Sequence, residues 1–265
     1  MANSFNFDSY DFSALNMLLL PDTLDFGVAA EANSTRIARG DGAVAPPSTY
    51  GPKPISFSCI LTTASVAARL TALDTLMLKL QEVEDAALLL DHIPLRYWMA
   101  RLQGAPQVTP LGSVGAKVDL SFLCNDPFAF ATVATVVSDT IASTMVSSDT
   151  TTFTSGGSVY TAPVITVVLS ATSDRFMVGN EDNEEELFWE SPGTGFDLAI
   201  GDTVKLECSP FVQLFSIKRF GDAAYIPLMN GVSGRFPKIN AGVSNTITWR
   251  GLTGAATITY RNRFL

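Results

Sequence analysis

The sequence predicts a mainly β protein in two parts, an α+β first part and an all-β second. Three observations predict it. Short runs alternate apolar with polar residues, the two-residue period of a half-buried strand. One stretch, 66–80, instead repeats its apolar residues at steps of three and four, the period of a helix with one buried face. After a polar run at 147–158 only the strand period remains, punctuated by Gly, Asn, Asp and Ser.

At 265 residues the chain can hold two domains of ordinary size. Apolar residues make up 47 % and charged residues only 16 %, against about 25 % in an average soluble domain. A surface so sparsely charged points to burial by other protein chains, as in large permanent interfaces. A membrane is the rival cover. The weakly polar runs 15–20 and 128–137 are shorter than the ~20 residues of a spanning helix, so no membrane insertion is expected. Residues 1–7 have neither a basic start nor an apolar core, and no signal peptide is read there. The net charge of −9 argues against tightly held nucleic acid, which needs clustered Lys and Arg. The charge is uneven. From residue 191 onward eight basic residues face four acidic ones, a balance of +4, which leaves −13 on the first 190.

Residues 36–54, "RIARGDGAVAPPSTYGPKP", are rich in Pro and Gly and nearly free of bulky aliphatics. They read as a disordered loop or as an arm that becomes ordered on a neighbour. Arg39-Gly40-Asp41 inside it is the tripeptide that integrins read, a three-letter match that chance produces often. Ile55, Phe57, Cys59 and Leu61 then alternate as a strand. Thr62, Thr63 or Ser65 can cap the helix behind it, whose apolar face is Val66, Leu70, Leu73, Met77 and Leu80. In 93–104, Leu95, Tyr97 and Met99 oppose Arg96, Trp98 and Ala100. Residues 104–115 carry Gly and Pro at both ends, a hairpin-type connection.

Val118, Leu120, Phe122 and Cys124 form another strand, which Asn125, Asp126 and Pro127 stop just before Phe128 and Phe130. Two rings directly behind a strand break are expected to pack at a domain junction or a subunit contact. The flexible composition of "SSDTTTFTSGGS" (147–158) places the domain boundary nearby, which gives domains 1–145 and 146–265. Beyond it, runs at 163–169, 203–207, 212–217, 246–249 and 256–260 are rich in Val, Ile, Thr and aromatics, as in an antiparallel sandwich.

No constellation of residues points to catalysis, a cofactor or a metal. Cys59, Cys124 and Cys208 are odd in number, far apart and set in apolar alternation, so they read as buried free thiols. His92 is the only histidine and has no nucleophile signature beside it. The acidic run "GNEDNEEELFWE" (179–190) lacks the alternate spacing and Gly turn of a calcium loop and reads as a solvated hairpin tip. Trp189 and Trp249, with Tyr260, are candidates for stacking on sugars if exposed, though aromatics in strands are more often core.

The order of these features resembles a family, the distal tail proteins of long-tailed, non-contractile bacteriophages. The resemblance begins at the Ile55 strand and the helix after it. It continues in an aromatic run "R-Y-x-A-x-L-x-G" at Arg96, Tyr97, Ala100, Leu102 and Gly104, and in a strand closing on Cys124, Asp126, Pro127 and Phe128. The second half is similar as well, with Gly201-Asp202-Thr203 opening a strand and "FPKINAGVSNTITWRG" at 236–251. It spans roughly residue 30 to the end and is strongest over 55–130.

The resemblance implies a tail-tube-like β-sandwich with one flanking helix and a belt arm, followed by a galectin-like antiparallel β-sandwich. It implies a non-enzymatic structural hub in the virion, at the tail tip, assembled in the host cytoplasm. Six copies would form a homo-hexameric ring that continues the DNA channel, with DNA passing unbound through the lumen. The ring would join the tail tube protein to a tail-associated hub protein and to receptor-binding proteins. Arg36, Arg39, Tyr50, Phe128 and Phe130 are the candidate subunit or domain interface. Galectins hold sugar with a set that includes His, and the second half has none, so the family's sugar site is not expected here. The alternatives are a tail-tube or tube-terminating subunit, a carbohydrate-binding adhesin module and, third, an enzyme using His92.

Overall fold

Contacts in the computed structural model divide the chain into two units, Met1–Thr132 and Val133–Leu265. The described residues are 3–26, 30–31, 35–36, 43–44, 49–81, 84–193, 197–209 and 212–265.

The first unit contains β1 (Phe5–Phe7), β2 (Tyr10–Asp11), β3 (Met17–Phe26) and four two-residue strands, β4 (Ala30–Glu31), β5 (Thr35–Arg36), β6 (Ala43–Val44) and β7 (Thr49–Tyr50). After these come β8 (Lys53–Thr62), α1 (Val66–Leu80), β9 (Ala86–Leu90), β10 (Arg96–Leu102), β11 (Gln107–Leu111), β12 (Gly115–Cys124) and β13 (Ala129–Ala131). Antiparallel pairing runs in the order β2-β1-β9-β10-β12-β8-β3. β11 lies beside the first half of β12, and β13 beside the start of β10. Tyr97 to Ala100 of β10 pair with β9, whereas Arg101 and Leu102 pair with β12, so one strand joins two ladders.

Alternation decides what fills the interior. Ile55, Phe57, Cys59 and Leu61 of β8 are buried, as are Val118, Leu120, Phe122 and Cys124 of β12. Phe5 stacks on Phe12 at 4.4 Å and meets Phe57 edge-on at 5.1 Å, and Phe7 lies 5.2 Å from Phe122. Burying such rings is worth about 1.5–3 kcal/mol each.

Ser65 caps α1, its hydroxyl accepting the Ala68 N–H at 3.1 Å. The expected apolar face, however, is corrected. Leu76 and Leu80 are the buried helix residues, while Val66 and Leu70 are exposed. Leu76 and Met77 are both apolar, so the sequence carries two stripes that share Leu80, and the helix buries the one through Leu76.

The second unit holds β14 (Thr135–Ala142), β15 (Asp149–Thr154), β16 (Val164–Leu169), β17 (Arg175–Asn180), β18 (Glu185–Glu190), β19 (Thr203–Cys208) and β20 (Gln213–Lys218). β21 (Ile226–Pro227), β22 (Val232–Gly234), β23 (Ser244–Arg250) and β24 (Thr253–Tyr260) follow. One antiparallel sheet has the order β14-β24-β16-β19-β20-β21 and the other β15-β23-β17-β18-β22. Inward residues of both sheets, among them Ile165, Ile258 and Phe215 from the first and Phe176, Trp189 and Trp249 from the second, form one buried cluster. That is a sandwich.

The boundary expected at 145–146 lies too late, because β14 already pairs along its length with β24. The polar run behind it is no linker. Asp149–Thr154 pairs residue by residue with β23, and the Thr151 hydroxyl accepts the Trp249 indole N–H at 2.8 Å. Threonine suits a strand when neighbours satisfy its hydroxyl.

Candidate assembly surfaces

The described residues of the segment read as an arm pair as a nested ladder. β3 and β8 pair up to Phe26 opposite Ile55. Beyond them Ala30 pairs with Tyr50 and Glu31 with Thr49, then Thr35 with Val44 and Arg36 with Ala43. Each pair lies inside the last, the register of a single hairpin. Arg36 therefore sits in β5, near the far end of this ladder. Arg39 and the whole Arg39-Gly40-Asp41 tripeptide lie outside the described residues.

Two of the candidate interface residues come together at the arm's root. The strand break works through an Asx turn: the Phe128 N–H donates to the Asp126 carboxylate at 3.2 Å. Phe128, 8 % exposed, then meets the half-exposed Tyr50 ring edge-on, with centroids 5.2 Å apart. Phe130 is used differently, stacking at 5.5 Å on Tyr97, its partner across the β10–β13 ladder. Sequence reading missed three further residues at the root. Phe26 packs 5.3 Å from buried Trp98, and the Lys53 ammonium lies 5.3 Å over the Phe26 ring. Burial lowers the Lys53 pKa from its ordinary value, with Cys124 opposing the shift. Trp98 was visible in the alternation, on the face it shares with Ala100, but nothing in the pattern said that Phe26 would reach it.

The outer side of the β8–β12 ladder is polar. Ser56 donates to Ser121 at 3.0 Å, and Asp119 accepts from Ser58 and, at 2.9 Å, from Lys117. The Ser58 hydrogen bond, then Lys117, holds the Asp119 carboxyl below its usual range. Two shallow grooves of about 470 and 450 Å³ share Asn16, Thr63 and Ala64 between the start of β3 and α1. Their described lining has no titratable side chain. His92 sits exposed in the turn between β9 and β10.

In the second unit the proposed sugar platform is overturned. Trp189 and Trp249 are both 0 % exposed, and their indole N–H groups donate to the Asn230 carbonyl at 3.1 Å and to Thr151. Phe176 and Phe215 pack on Trp189 at 5.4 and 5.6 Å. A ring with no open face cannot stack on a sugar. The acidic run is a hairpin, as expected, but several of its carboxylates are occupied. Asp182 accepts the Thr246 N–H at 2.7 Å, Glu181 accepts the Thr248 hydroxyl at 2.5 Å, and buried Glu185 pairs with Lys238 at 2.7 Å. No group of three or more His, Cys, Asp or Glu able to hold a metal occurs among the described residues. No helix among them is long and apolar enough to cross a membrane.

Two motifs of the second half have structural uses. Asp202 of Gly201-Asp202-Thr203 is 2 % exposed and accepts from the N–H groups of Ala199 and Phe220 and from Arg219. In "FPKINAGVSNTITWRG", buried Asn245 accepts the Asn240 N–H at 2.7 Å and donates to the Asn240 carbonyl at 3.0 Å. Asn180 binds both Asn245 and the Lys238 carbonyl. These bonds clamp the 236–245 crossing onto β17 and β23.

No protein-family model matches the sequence, and no curated protein matches it. Among solved structures, the chain is similar to the crystal structure of the Dit protein of phage SPP1, described as a paradigm of the hub of the adsorption apparatus in phages that infect Gram-positive bacteria. The TM-score is 0.75 at 15 % identity, over 100 % of both chains. It is also similar to chains of the phage P2 baseplate in its activated conformation, with calcium and with strontium. Each gives a TM-score of 0.53 at 9 % identity over 99 % of both chains. From end to end, through both units, this chain has the fold of the SPP1 hub protein Dit.

Proposed function

We propose that this chain is a structural, non-enzymatic hub of a phage tail tip. The observation that carries the proposal is the match of both units to SPP1 Dit over the full length of each chain. A subunit of the tube alone has no use for the second sandwich, which the match includes. Six copies close into a ring through the arm and the apolar margins of the first, tail-tube-like unit. The galectin-like second unit offers docking sites to the neighbouring tail proteins. The ring joins the tail tube to a tail-associated hub protein and to receptor-binding proteins, and DNA passes through its lumen. A charge fraction of 16 % supports a subunit covered by neighbours, and the net charge of −9 supports a channel that does not hold DNA. Burial of Trp189 and Trp249 removes the observation that favoured a sugar-binding adhesin.

Sizing and negative-stain imaging of the purified protein, alone and with the tail tube protein of the same phage, test the proposal. Six-fold rings with a central hole, or rings recruited onto tube ends, are expected. Single copies at every concentration, with no recruitment to tubes, would overturn it.

A further inference from the structure

We infer that Tyr50 and Phe128 form a latch that fixes where the arm leaves the first unit, which makes the strand break at Asn125-Asp126-Pro127 a positioning device for the arm.

The last described pair of the β3–β8 ladder is Phe26 with Ile55, the next described pair is Ala30 with Tyr50, and Gly51 and Pro52 on the return belong to no strand. Pro52 also lacks an N–H to extend a ladder. The two-residue β4–β7 ladder beyond them is marginal in water by itself. Side chains on both strands hold the junction to the body of the first unit. The outgoing strand is held where Phe26 packs on Trp98, under the Lys53 ammonium. The returning strand is held where Tyr50 packs on Phe128. Phe128 is itself fixed, because Asp126 accepts its N–H and the Asn125 amide donates to Asp85 at 2.9 Å. A buried, backbone-anchored ring beneath a 46 % exposed one is a seat and its occupant.

Hydrogen exchange on the full-length protein tests the latch, with each variant compared with the parent in the same assembly state. In Tyr50→Ala, protection at residues 30–31 should fall roughly two- to tenfold, the equilibrium change expected from losing one aromatic pair. Phe128→Ala should lower it as much, and the double variant no further. Tyr50→Phe keeps the ring and should keep the protection, and residues 55–61 of β8 should be unaffected in all Tyr50 variants. If Phe128→Ala does not fold, Phe128→Leu replaces it, since it retains bulk but loses the edge contact. Unchanged protection at residues 30–31 in Tyr50→Ala, or additive losses in the double variant, would overturn the latch. The consequence for assembly rests on the hub proposal and is read separately, by sizing. A loosened arm with undiminished rings would leave the latch standing and refute the arm's part in ring closure.

Discussion

The guanidinium of Arg219 lies 2.6 Å from the carboxylate of Asp202, a side chain only 2 % exposed, and together they join the 197–203 and 218–222 turns. Arg219 also donates to the Asp197 carbonyl at 2.8 Å, and Asp202 receives the N–H groups of Ala199 and Phe220 at 2.9 Å each. The Gly201-Asp202-Thr203 motif is thus a turn lock.

Replacing Asp202 by Ala strands those two N–H groups and the arginine, and should lower the stability of the second unit by about 2–4 kcal/mol, read from chemical denaturation. Burial would raise the Asp202 pKa, but the backbone N–H groups and Arg219 outweigh it and hold the carboxyl below its usual range. The folded state therefore binds this proton more weakly than the unfolded chain, where Asp titrates near about 4. The stabilisation is complete above that value and is lost as pH falls toward and through the lower folded pKa. Asp202→Asn should be less stable at neutral pH and lose part of the acid-limb slope below about pH 4.

Trp249→Ala separates the core role from the sugar role. A fully buried Trp whose N–H is bonded to Thr151 should cost about 3–5 kcal/mol when truncated, visible as a lower melting temperature for the second unit. Loss of binding on a glycan array with melting unchanged would contradict the structure.

The three thiols are free and buried. Burial pushes Cys59 and Cys124 up to about 12, and Cys208 higher still. Thiolate is the reactive species, so a thiol reagent at pH 8 should leave all three unlabelled in the native protein and label three per chain in denaturant. Rapid native labelling of any one would place it at the surface.

The strands at 55–61 and 118–124 were legible because each has one fully buried apolar face and one less buried, mostly polar face, and alternation encodes that difference directly. Alternation does not say which of two apolar sets turns inward. On α1, Leu76 was chosen over Val66 and Leu70 by packing that no local pattern records. Asp149–Thr154 lies in a run whose composition reads as flexible and is a strand all the same, because its hydroxyls are satisfied from elsewhere, Thr151 by Asp139 at 2.6 Å and by Trp249. At the assembly surface, Tyr50 and Phe128 were each legible as unusual. Their contact joins positions separated by most of the first unit, and a single sequence holds no measure of that proximity.

The outer part of the arm is expected to be dispensable for folding. Deleting 35–44 takes out the Thr35–Val44 and Arg36–Ala43 pairs but leaves Ala30 opposite Tyr50 and Tyr50 against Phe128. The buried side chains of both cores lie outside that stretch, so both melting transitions should stay within about 0.5 kcal/mol of the parent, as for changes away from packed or bonded features. Ring closure, if the arm spans to a neighbour, loses interface area and should need markedly higher protein concentration. Sizing across a dilution series measures that shift. Rings that persist to the same dilution as the parent would show that closure is made by the body of the first unit, and that the arm serves another contact.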